Sequence, residues 1–317
     1  MPHARSTRVP SRLAAVVALT AAALAMVSGL SAPAHAQATT FFVAPNGLDT
    51  NAGTSAGLPF KTLQRALDAV QVPGTTINLA AGVYKEAVAT KLAGTAAAPI
   101  TIKGPETGKA VGGRYRAVLY GLGGRVFSIN HSYYTLDGFT IDGQPETLSR
   151  ANLPTSLTAV RGYKDGIQNA TATQPAAFNS KLVYVGAAND SHDIVGTTIS
   201  NMFLARSGGE CVRFRNRSAN SLIVNSVISW CGMKASGNDA DQYMYHNAEG
   251  VYVGTSPKSN TQPFYTNDTS NNIVVKDSTI NTFGSECFEV KDRTSADDRH
   301  TIPRIWALTS AYARRVS

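Results

Sequence analysis

Three hexapeptides hold the residues of this chain best suited to chemistry. Glu210-Cys-Val-Arg-Phe-Arg215, Glu249-Gly-Val-Tyr-Val-Gly254 and Glu286-Cys-Phe-Glu-Val-Lys291 align without gaps, their starts 39 and 37 residues apart. Side chains alternate along a strand. If Val212 and Phe214, Val251 and Val253, and Phe288 and Val290 point inward, then Cys211, Arg213 and Arg215 point outward. So do Gly250, Tyr252 and Gly254, and Cys287, Glu289 and Lys291. Stacking the repeats then makes one column of Arg213, Tyr252 and Glu289 and a second of Arg215, Gly254 and Lys291. A third, acidic column holds Glu210, Glu249 and Glu286. Like charges stacked directly repel. The acidic column therefore needs neighbouring Arg and Lys, a bound cation, or backbone N–H groups at the turn of each repeat. A Lys or Arg among other cations has a depressed pKa and can take a proton. Lys291 and Arg215 are the candidate bases, with Arg213 beside them. Asp239 and Asp241, in an adjacent insertion, are candidate calcium ligands with Glu249, because calcium takes carboxylate oxygens. The structural alternatives are a solvated outer face for Lys291 and Arg215 and turn-capping for the glutamates.

Each hexapeptide follows a second apolar run: His192 to Ile199, Asn220 to Ile228 and Asn271 to Ile280. A fixed period of a few dozen residues, with β-branched runs and no long helical pattern, is the signature of a solenoid. The unit reads as strand-turn-strand-turn, which predicts a parallel β-helix, an all-β fold. Earlier coils are read at Thr76–Leu79, Gly82–Tyr84, Ile100–Lys103, Ala117–Tyr120, Val126–Ile129 and Tyr133–Ile141, and Lys181–Val185 resumes the coil. Pro59 to Val70 reads as one amphipathic helix with Leu63, Leu67 and Val70 on one face. Such a helix suits the open end of the solenoid, because terminal repeats need a cap. Residues 144–180, 232–248 and 256–270 are polar insertions, which in a solenoid project from the turns. The second holds Tyr243, Tyr245 and His246; the histidine reads as a surface residue or an acid.

Residues 1–36 carry Arg5, Arg8 and Arg12, an apolar stretch from Leu13 to Leu30, and a small-residue cleavage motif at Ala34-His35-Ala36. They read as a secretory signal peptide, with no membrane attachment after cleavage and an extracellular product. The β-helix domain is then residues 37–292. The formal charge of +8 is concentrated at the ends. The three signal arginines and the five arginines against two aspartates of residues 293–317 leave a body near +2. That, with no basic helix or nucleic-acid motif, excludes nucleic acid as a partner. The segment 293–317 has no strand alternation and reads either as a tail folded over the last coil or as the product of a shifted reading frame. Of three cysteines, Cys211 and Cys287 stand two coils apart, about 9–10 Å at the usual strand spacing, beyond disulfide reach. The indicated pair is Cys211–Cys231.

The block from Phe41 through "VAPNGLDTNAGTSAGLPFKTLQRALDAV" to "GTTINLAAGVYKE", with the coils "ANSLIVNSVIS" and "NNIVVKDSTIN", resembles the secreted right-handed parallel β-helix proteins of the pectate-lyase-like superfamily. The resemblance spans Phe41 to Asp292. It implies an extracellular acidic polysaccharide as partner, a monomer, and β-elimination on a uronic-acid polymer. In that reaction calcium neutralises the carboxylate and a cationic side chain takes the adjacent proton. The implied roles are Lys291 or Arg215 as base, Arg213, Tyr252 and Glu289 as substrate contacts, and Asp239, Asp241 and Glu249 as calcium ligands. Tyr243, Tyr245 and Tyr252 suit stacking on sugar rings. The sequence departs from the superfamily in lacking a clustered Asp-Asp-Gly-x-Asp motif and the aspartate motifs of polygalacturonase-type hydrolases. The same scaffold also carries non-enzymes, so a catalytically silent carbohydrate-binding or surface protein, or a truncated remnant, is the alternative.

Overall fold

The computed structural model describes residues 38–108, 115–121, 124–143, 179–187, 192–232, 249–255, 268, 270–282 and 286–291. The expected signal segment, nearly all of the three polar insertions, the tail from 293, and Asp239, Asp241, Tyr243, Tyr245 and His246 lie outside the described residues.

Strand Thr40–Val43 (β1) leads through helix Leu63–Ala69 (α1) into six three-sided coils, of three strands each except the fourth, which has four. The first coil is Thr76–Leu79 (β2), Gly82–Lys85 (β3) and Val88–Ala89 (β4). The second is Ile100–Lys103 (β5), Ala117–Tyr120 (β6) and Gly124–Ile129 (β7). The third is Tyr134–Asp137 (β8), Thr140–Asp142 (β9) and Asn179–Val185 (β10). In the fourth, Ile194–Val195 (β11) and Thr198–Ser200 (β12) share one side, followed by Phe203–Ala205 (β13) and Val212–Phe214 (β14). The fifth is Ser218–Val224 (β15), Val227–Ser229 (β16) and Val251–Val253 (β17). The sixth is Asn271–Lys276 (β18), Thr279–Asn281 (β19) and Phe288–Val290 (β20). The first sheet runs β1-β2-β5-β8-β12-β15, with β11 and β18 also on β15. The second runs β3-β6-β9-β13-β16-β19 and the third β4-β7-β10-β14-β17-β20. Every pairing among the described residues is parallel, from β1–β2 to β17–β20, so this is the parallel β-helix that the repeats predict, of the right-handed kind that the resemblance implies.

The core is a set of aliphatic stacks along the axis. In the first sheet Ile77, Ile102, Leu136, Ile199, Ile223 and Val275 stand in register. In the second the stack is Tyr84, Leu119, Ile141, Leu204, Ile228 and Ile280. All are buried, and burying each such side chain contributes about 1.5–3 kcal/mol.

The runs Asn220 to Ile228 and Asn271 to Ile280 each prove to be two strands on different sheets, while His192 to Ile199 stays on the first sheet, so a coil has three sides where the sequence predicts two. The corner is a single left-handed residue following the register of Asp137, Ser200, Val224 and Lys276: Gly138 (φ 74), Asn201 (φ 51), Asn225 (φ 51) and Asp277 (φ 51). Gly, Asn and Asp tolerate this backbone region best. The asparagines also hydrogen-bond from coil to coil: Asn225 Nδ2 donates to Asn201 Oδ1 at 2.5 Å, and Asn201 Nδ2 to Asp137 Oδ1 at 2.6 Å.

The capping helix is shorter than Pro59–Val70 because Phe60 forms an isolated bridge with Val43 and Thr62 caps the helix. Thr62 Oγ1 accepts from the Arg65 N–H at 3.2 Å, and the Glu86 carboxylate accepts from the Leu63 and Gln64 N–H groups at 2.8 and 2.9 Å. Leu63, Ala66 and Leu67 are buried, and the helix packs on β1, β2 and β4. Thr62→Ala is expected to lower unfolding free energy by about 1 kcal/mol, read as a shift of the urea midpoint at unchanged slope.

Candidate functional site

Two columns stand side by side on the third sheet. The first is Arg125, Lys181, Glu210, Glu249 and Glu286. Lys181 pairs with Arg125, and the ladder continues through Leu182 N–H to Cys211 O, Cys211 N–H to Glu249 O and Gly250 N–H to Glu286 O. The second is Ser128, Tyr184, Arg213, Tyr252 and Glu289, residue opposite residue across β7, β10, β14, β17 and β20. Neighbours in a column are one coil apart, about 4.8 Å. A register shift in β10 between Asn179 and Lys181 inserts an extra residue just before Lys181, the kind of irregularity that re-aims a side chain.

The predicted column of Arg213, Tyr252 and Glu289 is therefore present. Arg215, Gly254 and Lys291 follow it in register, with Gly254 N–H bonded to Phe214 O and Lys291 N–H to Val253 O. The outward assignment of Cys211, Gly250 and Cys287 is corrected. The chain bends at these residues before each strand starts, so strand alternation does not reach them. Cys211 is buried in the core and disulfide-bonded to Cys231, their Cα atoms 5.4 Å apart; Cys287 is a free thiol packed against the core. A Cβ at Gly250 would lie 2.4 Å from Ile280 Cγ2 and 2.7 Å from the Cys287 carbonyl oxygen, which is why this coil carries glycine there.

Charge alternates with aromatic rings across the two columns. Lys181 Nζ lies 2.9 Å from Glu210 Oε2, and Arg213 Nη1 bonds the other oxygen of the same carboxylate. The Arg125 guanidinium sits 3.4 Å from the centre of the Tyr184 ring, and that of Arg213 4.1 Å from Tyr252. Lys291 Nζ lies 5.3 Å from the same ring and pairs with Glu289. A cation over a ring gains from the ring quadrupole, and charge-assisted pairs are the stronger hydrogen bonds. Glu210, Glu249, Arg213, Tyr184 and Tyr252 are buried, Lys181, Glu289 and Lys291 are partly exposed, and Arg125 and Glu286 are exposed. Arg215 is placed differently. It is buried, and its Nε donates to Thr255 Oγ1 at 2.7 Å; that hydroxyl donates to Asp268 Oδ2 at 2.6 Å. This ties Arg215 into the turn that follows β17.

Two groups are shifted from their ordinary values. Burial, then the guanidiniums of Arg213 and Arg125, push the Lys181 amine below its usual value, with Glu210 partly offsetting them. Burial, then the carboxylates of Glu210 and Glu289 and the side-chain hydrogen bond to Glu289, push the Glu249 carboxyl up to about 9. Glu249 therefore keeps its proton at neutral pH. A carboxyl raised in the folded state favours folding fully below the unfolded value and loses that contribution as pH rises through the folded one. Between about pH 5 and 9 the unfolding free energy of the parent should fall relative to that of Glu249→Gln, which lacks the titration. Parallel denaturation midpoints across this range would refute the assignment.

Glu249 Oε2, Glu289 Oε2 and Arg213 Nε are buried with no hydrogen-bond partner among the described residues. Such orphaned groups in a site are what a ligand can satisfy. For calcium the residues present fit only in part. The two orphaned carboxylate oxygens are suitable hard donors, but calcium takes 6–8 oxygens, and among the described residues no group of three or more His, Cys, Asp or Glu converges on a metal site. Asp239 and Asp241 lie outside the described residues.

Lys181, Arg125 and Tyr184 are members of the face that sequence reading missed. The signal was present: Arg125-Val-Phe-Ser-Ile129 and Lys181-Leu-Val-Tyr-Val185 share the frame of the three hexapeptides, but without the leading glutamate.

Residues 45–297 match the family DUF1565, described as a protein of unknown function. No curated protein matches the chain. Among solved structures it is similar to an alginate lyase from Paenibacillus (20% identity, 68% of this chain, 62% of that one, TM-score 0.43). It is similar also to a lacto-N-biosidase from Eubacterium ramulus (14% identity, 77% and 44%, TM-score 0.43) and to the polygalacturonase from Erwinia carotovora (14% identity, 80% and 58%, TM-score 0.41). The chain thus spans 44–62% of the length of these proteins.

Proposed function

We propose that this chain, which belongs to the DUF1565 family, is an extracellular protein that binds an acidic polysaccharide along the outer face of the third sheet and cleaves it by β-elimination. The observation that carries this reading is the placement of Lys181, Arg213 and Glu249 on three successive coils. A lysine whose amine is pushed below its usual value stands on one side, a carboxyl pushed up to about 9 on the other, and between them a guanidinium with a donor unpaired among the described residues.

The division of labour follows from chemistry. A proton on the carbon beside a carboxylate is weakly acidic, so the carboxylate must be neutralised as the proton leaves. Arg213 neutralises it, and Lys181 takes the proton as an amine, its ammonium then stabilised by Glu210. The freed electron pair forms the carbon–carbon double bond as the glycosidic carbon–oxygen bond breaks. The departing oxygen receives the proton of Glu249. Tyr252 and Tyr184 offer ring faces to sugars, and Arg125 on the second coil and Lys291 on the sixth add positive charge at the two ends of the face. Calcium held by Asp239, Asp241 and Glu249 would supply further neutralisation of the substrate carboxylate; as it would displace the Glu249 proton, no step above is routed through it.

The second reading is a silent carbohydrate-binding scaffold. It is favoured by the pairing of Lys181, Arg213 and Lys291 with carboxylates, an arrangement that also staples coil to coil. One assay separates the two. Elimination leaves a double bond conjugated to the carboxylate, which absorbs in the ultraviolet. Incubation with polygalacturonate and with alginate, with calcium and then with chelator, should raise that absorbance. Retention on a polysaccharide column with no rise on any polymer would move the assignment to the binding scaffold.

A further inference from the structure

We propose that Tyr133 is the ring platform of a second carbohydrate site, separate from the third-sheet face, which takes a pyranose unit of an uncharged glycan. The third to sixth coils each place a left-handed residue at one register position of the first sheet: Tyr133 (φ 60), Gly196 (φ 72), Asn220 (φ 52) and Asn272 (φ 49). The column is bonded from coil to coil. Tyr133 N–H donates to Val195 O, Gly196 N–H to Ala219 O, and Asn272 Nδ2 to Asn220 Oδ1 at 2.6 Å. Glycine and asparagine tolerate this backbone region, whereas a bulky side chain there is an outlier. A glycine or asparagine at 133 would make the same corner with less strain, so the fold by itself does not call for tyrosine. Strain of this kind collects where function needs a particular side chain in place.

The ring leans over the next coil. A Cβ at Gly196 would lie 2.5 Å from Tyr133 Cδ1 and 2.8 Å from Cε1, so the ring fills the space that a side chain at 196 would take. Tyr133 remains partly exposed. Two residues further along, Thr135 and Thr198 stand opposite each other across β8 and β12, both partly exposed. Asn220 and Asn272, next in the column, are exposed. This combination matches a sugar ring. The C–H face of a pyranose lies on an aromatic face, and its hydroxyls exchange hydrogen bonds with threonine hydroxyls and asparagine amides.

Charge selects the ligand class. Thr135, Thr198, Asn220 and Asn272 are all neutral, and the charged residues at this turn, Asp193 and Arg217, pair with each other at 2.7 Å. The third sheet instead carries Lys181, Arg213 and Lys291, which suits an acidic polymer. The two sites therefore differ in the glycan they favour, and the proposal does not rest on the elimination reading.

The test is isothermal calorimetry of the full chain with soluble xylan, galactomannan and hydroxyethylcellulose, alongside urea unfolding of each protein. The parent is expected to bind at least one of these neutral polymers saturably. Tyr133→Asn, the residue type that the fifth and sixth coils carry here, should weaken that binding at least about 10-fold, as loss of an aromatic anchor does. Its urea midpoint should hold or rise, because strain is relieved. Tyr133→Phe should keep the binding, since the ring remains, and Lys181→Ala should bind as the parent does. Tyr133→Gly, which accepts the backbone conformation, keeps the test valid should Tyr133→Asn fail to fold. No saturable binding by the parent, or affinity unchanged without the ring, would overturn the proposal; so would loss of binding in Lys181→Ala, which would place the neutral polymer on the third sheet. A lowered urea midpoint with unchanged affinity would assign the ring to covering Gly196, the structural use of an aromatic beside a glycine.

Discussion

Lys181→Ala is expected to lower the rate of elimination by about 10²–10⁴-fold, the usual contribution of a positioned general base. The loss should fall on kcat and kcat/KM alike, because proton transfer occurs only in the transition state. Lys181→Arg should not rescue it, since a guanidinium stays charged at any working pH. The fold should survive, because Arg213 still pairs with Glu210. The parent's pH profile should rise as the Lys181 amine loses its proton and fall as the Glu249 carboxyl loses its own near pH 9. Lys291→Ala should raise KM with a smaller effect on kcat, as expected of a side chain that binds the polymer. If Lys181→Ala keeps most of the activity while Lys291→Ala abolishes it, the base is Lys291 and the assignment argued here is wrong.

Arg206→Ala should destabilise the fold by about 3–5 kcal/mol, the cost of leaving a buried charge without its partner. Arg206 is 3% exposed and Asp142 2%. Arg206 Nε donates to Asp142 Oδ1 at 3.0 Å and Nη2 to Oδ2, a bidentate pair between successive coils. Arg206 also has φ of 62°, a left-handed conformation that costs an L-residue about 1–2 kcal/mol. Arg206→Gly should therefore be less damaging than Arg206→Ala although it removes the same charge. The double variant Arg206→Ala/Asp142→Ala should recover much of the loss, because no lone carboxylate is left buried. Guanidinium denaturation of the parent, Arg206→Ala, Arg206→Gly, Asp142→Ala and the double variant closes the cycle. Equal losses for Gly and Ala would discard the backbone contribution, and additive single losses would discard the pair. The pair sits where the chain turns from the second sheet toward Glu210, so the same cycle measures how firmly that corner holds the candidate site.

Much of the architecture was legible from local chemistry. Period and β-branched runs specify a solenoid because only inward apolar residues, repeated once per coil, can build its stacks. The hexapeptides specify which side chains share a column, since parallel in-register pairing places equal positions one above another. The columns of Arg213 with Tyr252 and Glu289, and of Glu210 with Glu249 and Glu286, follow from that alone. Other features are decided by distant parts of the chain. A left-handed corner such as Asn201 leaves no mark in hydrophobic alternation, so the third strand of each coil went unread. Cys211 turned inward because the chain bends before its strand, which alternation does not encode. The membership of Lys181 in the acidic column follows from pairing with residues far along the chain, because its segment shares the frame of the hexapeptides but lacks their leading glutamate. Its lowered pKa, like the raised one of Glu249, arises from burial and from charges contributed by other coils. Sequence sets which residues recur at each position, because strand periodicity is local. Which of them lose water and which charges they then face is set by how the coils stack, because desolvation and Coulomb interactions depend on distance in space.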